Sequence, residues 1–432
     1  MMTDTLAETS TEHIPDAIAK TIVTPADYAT DAIHDAYRWL RANNPLGIAA
    51  PDGFDPFWVV TKHADIQYIS RNNALFPSGE RATTLGDRDH IGRVMRLTGT
   101  PNLARTLIQM DGTDHRQYRG LTQAWFAAKS VRQRDDTIKT IASRSIDHMA
   151  ALDGNCDFVR DVALAYPLNV VMDILGVPAE EYPRMLRLTQ ELFGPQDPEI
   201  ARVMADSTDG HYSAAVQATV AEFAEFFGGI SADRRANPQD DLATLIATAE
   251  IDGKPIGARE AASYYMIIAS AGHDTTSYSV STAMWALANI PGLLADLQAD
   301  PALIPQFVEE SIRWATPVKT FMRSASEDVE LRDRTIRKGD WLMLCYASGN
   351  RDEEVFDRPY EFDVQRKPNA QIAFGYGGHF CLGQHLARTE MREFFEQLIA
   401  RLEWVRPSGE AKSVHSWFVN GLKSLPVEYA MR

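Results

Sequence analysis

Cysteine is scarce in this chain. Cys156, Cys345 and Cys381 are the three in 432 residues, too few for a disulfide framework and suited to a reducing compartment in which one thiol has a chemical task. Cationic charge is in deficit as well: 43 Lys and Arg stand against 59 Asp and Glu, a net charge of −16. A nucleic-acid partner would need cationic surface to replace counterions, and an anionic membrane would repel this balance, so both are excluded as partners. Long apolar runs are missing too. The most apolar stretch, Ala261–Gly272, is too short for a bilayer and runs into His273 and Asp274. The opening residues are polar and acidic, without the basic region and apolar core of a secretion signal, which leads us to expect a cytoplasmic protein.

Repeats, low-complexity tracts and Gly/Ser- or Pro-rich linkers are also absent. A prior of about 150 residues per domain would suggest three units, but without linkers the expectation is a single domain over residues 1–432, with about residues 1–20 as a flexible extension. The texture is mainly helical with small β-sheets, an α+β class. Apolar spacing predicts helices over Tyr28–Ala42, Asp136–Leu152 and Ser213–Asn237. Short strands are expected at Phe57–Val60 and Trp341–Tyr346. Ser78–Leu107 and Phe193–Gly210 read as long loops, which in a compact domain usually cover a site; the second is expected to act as a lid.

The most informative segment runs from Phe374 to Arg388. Gly375, Gly377 and Gly378 favour an irregular backbone that approaches something flat. From Leu382 to Leu398 the periodicity is helical, which puts Cys381 at a helix N-terminus. There the free N–H groups and the dipole favour an anion and lower a thiol pKa. Gly383, without a side chain, would let the helix pass close over a planar ligand. Taken alone, Cys381 is as readily a buried core cysteine. A zinc site from His379, Cys381 and His385 lacks a fourth ligand and the usual paired spacing.

The pattern Phe374-x-x-Gly377-x-x-x-Cys381-x-Gly383, continuing into Leu386-Ala387-Arg388, resembles the haem-ligand signature of the cytochrome P-450 family. Two further motifs stand upstream in the family's order. Glu310-Ser311-Ile312-Arg313 resembles its ExxR, an i,i+3 pair on one helix face that builds a polar network. Ala271-Gly272-His273-Asp274-Thr275-Thr276 sets a polar patch into a helix that is apolar on both sides, which is costly unless its groups find partners. From His13-Ile14-Pro15 to Phe418-Val419 the chain is similar to the bacterial terpineol-oxidising branch, least so over Arg81–Arg105, where that branch's substrate-contacting loop falls.

The resemblance implies the family fold, with haem b between the long central helix and the helix after the ligand Cys381. It implies a widened helix beside the haem, with Asp274 and Thr275 as the acid–alcohol pair that relays protons. His115, Arg119, Arg323 and His379 would hold the two propionates, Phe374, Gly377 and Gly383 would shape the haem pocket, and Glu310 and Arg313 would be structural. Candidate substrate contacts are Ile268, Ala271, Val318, Phe321 and Phe418, which suit a small cyclic hydrocarbon. The implied activity is a monooxygenase that uses O2, with electrons from an iron–sulfur ferredoxin and its reductase. Ferredoxins of this kind are acidic, so Arg116, Lys129, Arg388 and Arg392 are expected to form a basic patch on the cysteine side. The other readings are a haem-thiolate peroxygenase, which would not need the Asp274–Thr275 pair, and a non-catalytic haem sensor or carrier.

Overall fold

The computed structural model describes residues 12–201 and 212–432. Six of its helices build the site: α1 (Gly112–Gln123), α2 (Ala165–Ile174), α3 (Tyr182–Phe193), α4 (Ala258–Asn289), α5 (Ile304–Ala315) and α6 (Gln384–Arg401). The longest, α4, begins after Gly257 and stops where Ile290 turns extended ahead of Pro291, a residue whose ring excludes the helical conformation before it. Most of α4 is buried, polar residues included. Several of its hydroxyls are satisfied within the helix: Ser270 donates to the Met266 carbonyl at 2.7 Å, Thr275 to Ala271 at 2.7 Å, Ser277 to His273 at 3.1 Å and Ser279 to Thr275 at 3.0 Å. A serine-rich helix thereby runs through the core, packed on α2, α3 and α5. The widening expected at Gly272–Thr276 does not interrupt it, since the run is α-helical throughout.

The principal sheet has four strands, β1 (Leu46–Ala49), β2 (Phe57–Val60), β3 (Thr320–Ser324) and β4 (Trp341–Cys345), in the order β1-β2-β4-β3. β2 and β4 are parallel with Trp58 opposite Leu342, whereas β3 and β4 are antiparallel with Phe321 opposite Leu344 and Arg323 opposite Leu342. Phe321 and Arg323 are two residues apart and so share a face of the sheet.

Helices appear at Asp135–Ala150 and Tyr212–Ala236, within a residue or two of expectation. The first expected helix begins only at Ala32, because Thr30 is extended and its hydroxyl takes the Ala32 N–H at 3.3 Å. Ser78–Leu107 is not all loop: it holds a helix over Arg88–Thr98, opened by the Asp87 carboxylate on the His90 N–H at 2.7 Å and closed by Gly99 at φ 72°. Residues 1–20 are not simply an extension either. Asp16–Ile22 is helical with Ala19 and Ile22 buried, and the Ile14 N–H bonds to the Ile48 carbonyl at 3.0 Å, so apolar contact holds this segment on the body; residues 1–11 lie outside the described part.

Among the described residues no single helix is long and apolar enough to cross a membrane.

Candidate active site

The loop ahead of α6 is fixed from behind by α5. Arg313 and Glu310 are both fully buried and form a two-pronged pair, Nε to Oε2 at 2.8 Å and Nη2 to Oε1 at 2.6 Å. Arg313 also donates to the Asn350 and Pro359 carbonyls at 2.8 and 3.0 Å, and Glu310 accepts from the Asp363 N–H at 2.9 Å and from Arg366 Nε at 3.2 Å. Every charge of the pair is thus hydrogen-bonded, the condition under which a buried ion pair is tolerated. Asn350 passes the constraint on, its side chain accepting the Ile372 N–H at 2.7 Å two residues before Phe374.

The Cys381 N–H closes the loop on the Phe374 carbonyl at 2.8 Å. Gly375 and Gly377 both adopt left-handed backbone, at φ 73° and 69°. Gly377 serves the chain rather than a ligand: a Cβ there would collide with the Ser70 carbonyl, and the residue is outside the cavity wall, which corrects the expectation that it touches the cofactor. Gly383 does lie in the wall, and a Cβ on it would meet nothing but open space. Helix α6 starts at Gln384 with Gly383 as its cap, so Cys381 sits just ahead of the helix.

A cavity with about 1670 Å³ of empty space, counted out to its mouth, opens between this loop and α4. Cys381, Gly383, Leu386 and Phe374 form one wall; Ile268, Ala271, Gly272 and Thr275 form the facing one. Val318, Phe321 and Phe418 complete the apolar part, with Phe418 packed edge-on against Phe321 at 5.2 Å between centroids. All five expected substrate contacts are therefore together.

His115, Arg119, Arg323 and His379 also reach the cavity. Arg119 Nη2 donates to the Phe380 carbonyl at 2.7 Å and Arg323 Nη1 to the Met322 carbonyl at 2.7 Å; among the described residues neither meets a carboxylate within ion-pair distance. Burial lowers the pKa of each, partly offset at Arg119 by Cys381 and at Arg323 by Tyr346. The His115 and His379 rings lie 4.2 Å apart, and His115 Nε2 is buried without a hydrogen-bond partner. Burial, aided by His379 and Arg119, pushes His115 down to about 4. Burial also lowers His379, against the pull of Asp111, whose carboxylate is 3.7 Å away and accepts the Ser78 and Gly79 N–H groups at 2.9 and 2.7 Å. Arg119 and Arg323 have no carboxylate partner among the described residues and His115 Nε2 has no partner at all, and the two propionates of a haem would supply the missing anions. The open space at Gly383 and the thiol at Cys381 fit the same group.

Two expectations need correction. The Cys381 thiol is not lowered by the protein alone. Its exposure is to the cavity and the protein encloses it, so burial pushes its pKa up, against the Gly383 N–H, Arg119 and Arg388. A metal cation on the sulfur would favour the thiolate directly. Asp274, in turn, does not face the cavity. It is fully buried behind Thr275, and both its carboxylate oxygens lack hydrogen-bond partners.

The zinc grouping does not form: among the described residues no three His, Cys, Asp or Glu are arranged to hold a metal ion. Half of the expected lid, residues 202–210, lies outside the described part. Its root is clamped, since Asp197 is fully buried, accepts both contacts from Lys423 Nζ at 2.9 and 3.0 Å, and takes the His415 N–H at 3.0 Å. Sequence reasoning missed Glu390, which lies in the wall with Leu386 and Met391 on the inward face of α6. An acid four residues after Leu386 on that face was the available signal.

A family model described as Cytochrome P450 matches residues 87–430. The chain is 43% identical over 419 residues to cytochrome P450-terp of a Pseudomonas species, covering 96% of this chain and 98% of that one. It is 33% identical over 417 residues to a methyl-branched lipid omega-hydroxylase of Mycobacterium tuberculosis, covering 93% and 92%. Among solved structures, CYP108D1 from Novosphingobium aromaticivorans superposes with a TM-score of 0.90 at 42% identity, covering 98% of this chain and 100% of the other.

Proposed function

The chain belongs to the cytochrome P450 family of haem-thiolate monooxygenases, and from that membership we propose that it inserts one oxygen atom of O2 into a C–H bond of a small hydrophobic cyclic compound, a monoterpenoid or an aromatic hydrocarbon, in the cytoplasm. Electrons would come from an iron–sulfur ferredoxin and its reductase. The observation that carries this reading is the single cavity in which the Cys381 wall faces Thr275, with apolar side chains filling the remainder.

Bound between α4 and α6, the haem supplies the electron chemistry that cleaves O2 and oxidises the C–H bond. The residues divide the other tasks. Cys381 Sγ would ligate the haem iron, and the rim cations would hold the propionates. Thr275 donates its hydroxyl proton to the Ala271 carbonyl and keeps its lone pairs toward the cavity, where it can accept a proton or a hydrogen bond. Asp274, one residue before it, is the nearest carboxylate in sequence to bring a proton there, after turning from its buried position. Ile268, Ala271, Val318, Phe321 and Phe418 bind by shape, exclude water and favour an apolar substrate. The buried Cys156 and Cys345, both unpaired, suit a reducing compartment.

The test titrates the ferric holoenzyme with cyclic monoterpenoids and aromatic hydrocarbons, following loss of the iron-bound water by absorbance. Turnover with a ferredoxin, its reductase and NAD(P)H should then yield an alcohol labelled from ¹⁸O2. No spectral response to any member of either class would refute the substrate assignment, and turnover with peroxide but not with a ferredoxin, its reductase and NAD(P)H would refute the electron source.

A further inference from the structure

His273, between Gly272 and Asp274, has no task in this reading, yet its surroundings are specific. The ring is fully buried between the chain leading into α2 and the middle of α3. Its Nε2 lies 2.8 Å from the Leu164 carbonyl, and its Nδ1 lies 2.8 Å from Thr189 Oγ1. A carbonyl only accepts, so Nε2 carries a proton. The Thr189 hydroxyl has one proton to give and also lies 3.0 Å from the Leu186 carbonyl. With that proton on Leu186, Nδ1 is left to donate to Thr189 as well, the arrangement of an imidazolium.

Asp274 points the same way independently. Both of its carboxylate oxygens are buried without hydrogen-bond partners, and Oδ2 is 3.5 Å from the same Nδ1. An ionised carboxylate so enclosed is far too costly alone, whereas a cation at this distance compensates it. Among the described residues no Lys or Arg reaches it. The other ionisable groups packed nearby are engaged elsewhere or uncharged. Glu191 on α3 pairs with Arg187 at 3.0 Å and accepts from Thr219 at 2.8 Å; Asp197 takes Lys423 at 2.9 Å; and Tyr278, a turn along α4, is kept protonated by burial and by Asp274.

We propose that His273 is a positioning residue for Asp274: held doubly protonated between Leu164 and Thr189, it keeps the carboxylate ionised and parked behind the cavity wall, on the far side of the helix from the substrate. The proposal rests on the monooxygenase reading for the use made of Asp274, but the charge state stands by itself and is measured without turnover.

The experiment is ¹⁵N NMR of the holoenzyme labelled at histidine, in its reduced, carbon-monoxide-bound diamagnetic form. The His273 signals are identified by their loss in His273→Gln or, should that variant fail to take up haem, by their shift in Thr189→Val. The expected result is that both ring nitrogens lie at imidazolium positions in the wild-type holoenzyme. In Asp274→Asn, where the anion is gone, Nδ1 should move to the position of a bare nitrogen while Nε2 remains protonated. A neutral His273 in the wild-type protein would overturn the proposal, and so would an imidazolium that Asp274→Asn leaves unchanged. Neither outcome touches the substrate assignment, and a failure to oxidise cyclic hydrocarbons would leave this charge state intact.

Discussion

Glu390 places a carboxyl in the wall of the cavity with Oε2 buried and unbonded, and burial pushes its pKa well above the usual 4.5. The folded chain therefore holds this proton at a pH where the unfolded chain has lost it. Below about pH 4.5 both states carry the proton and the group is neutral to stability. Above it the native state binds one proton more than the unfolded state, so stability falls as pH rises, by at most about 1.4 kcal/mol per pH unit. Glu390→Gln keeps the shape and removes the titration. Its thermal midpoint should match that of the wild-type holoenzyme near pH 4.5 and exceed it increasingly toward neutrality; parallel midpoint curves over that range would show that Glu390 is ionised in the fold. The same reasoning separates Cys381 from a reactive surface thiol. Burial works against its anion, so the charge of the bound iron has to supply what the protein withholds.

At the scale of elements, legibility followed the physical signal each segment carried. Phe57–Val60 was readable because all four residues are apolar, and in the sheet all four are buried. The Glu310–Arg313 pair and the Cys381 loop were readable because together, in order, they resemble the family's motifs; an i,i+3 ion pair alone would have said nothing. Arg88–Thr98 was missed although Ile91, Val94 and Met95 fall at i, i+3 and i+4 and Asp87 and Gly99 mark its ends; the period is short, only Val94 is buried, and charged residues surround it. The orientation of Asp274 was equally hidden, since adjacent helical residues point about 100° apart and only the packing of α2 and α3 decides which of Asp274 and Thr275 faces the cavity. That packing depends on Gly272. A Cβ there would meet Val171 Cγ2 at 3.0 Å, so α4 and α2 approach as closely as they do because the side chain is missing. Gly272→Ala gains about 1 kcal/mol of helix propensity but overpacks a stiff, buried valine, at a cost of roughly 1–3 kcal/mol. It should be destabilising on balance, and Val171→Ala should relieve the clash. A double-mutant cycle by denaturant unfolding is expected to give a coupling energy of at least about 0.5 kcal/mol between the two sites; additivity would mean that the helices adjust freely.

For the whole molecule the question is how a chain of net charge −16 would receive electrons from the acidic ferredoxin proposed as its partner. The expected basic patch is smaller than the sequence suggested. Arg388 is paired with Glu309, with Nη2 3.1 Å from Oε2, and Arg392 is paired with Glu393 at 2.8 Å and lies 3.9 Å from Glu396, so both are largely neutralised on site. Arg116 and Lys129 remain exposed, as does Arg132 on the short helix Ala128–Arg132, which packs on α6; the His385 pKa there is lowered by burial first and then by Arg388 and Arg132. Exposed cations set in an anionic surface attract an acidic partner locally, and electrostatic steering of this kind acts on the rate of encounter rather than on the bound small molecule. Reversing Arg116 and Lys129 to Glu should slow reduction by an acidic ferredoxin about tenfold or more at low salt. The difference should vanish toward about 1 M salt, where the screening length falls to roughly 3 Å. Arg388→Glu and Arg392→Glu would break ion pairs beside the ligand loop, and a matched loss of haem uptake would mark them as structural. Substrate affinity, read from the ferric spectrum, should be the same in the Arg116 and Lys129 variants as in the wild type. If it falls in step with the reduction rate, the reversals have disturbed the cavity through α1, which carries Arg116 one residue after His115, and the steering argument fails.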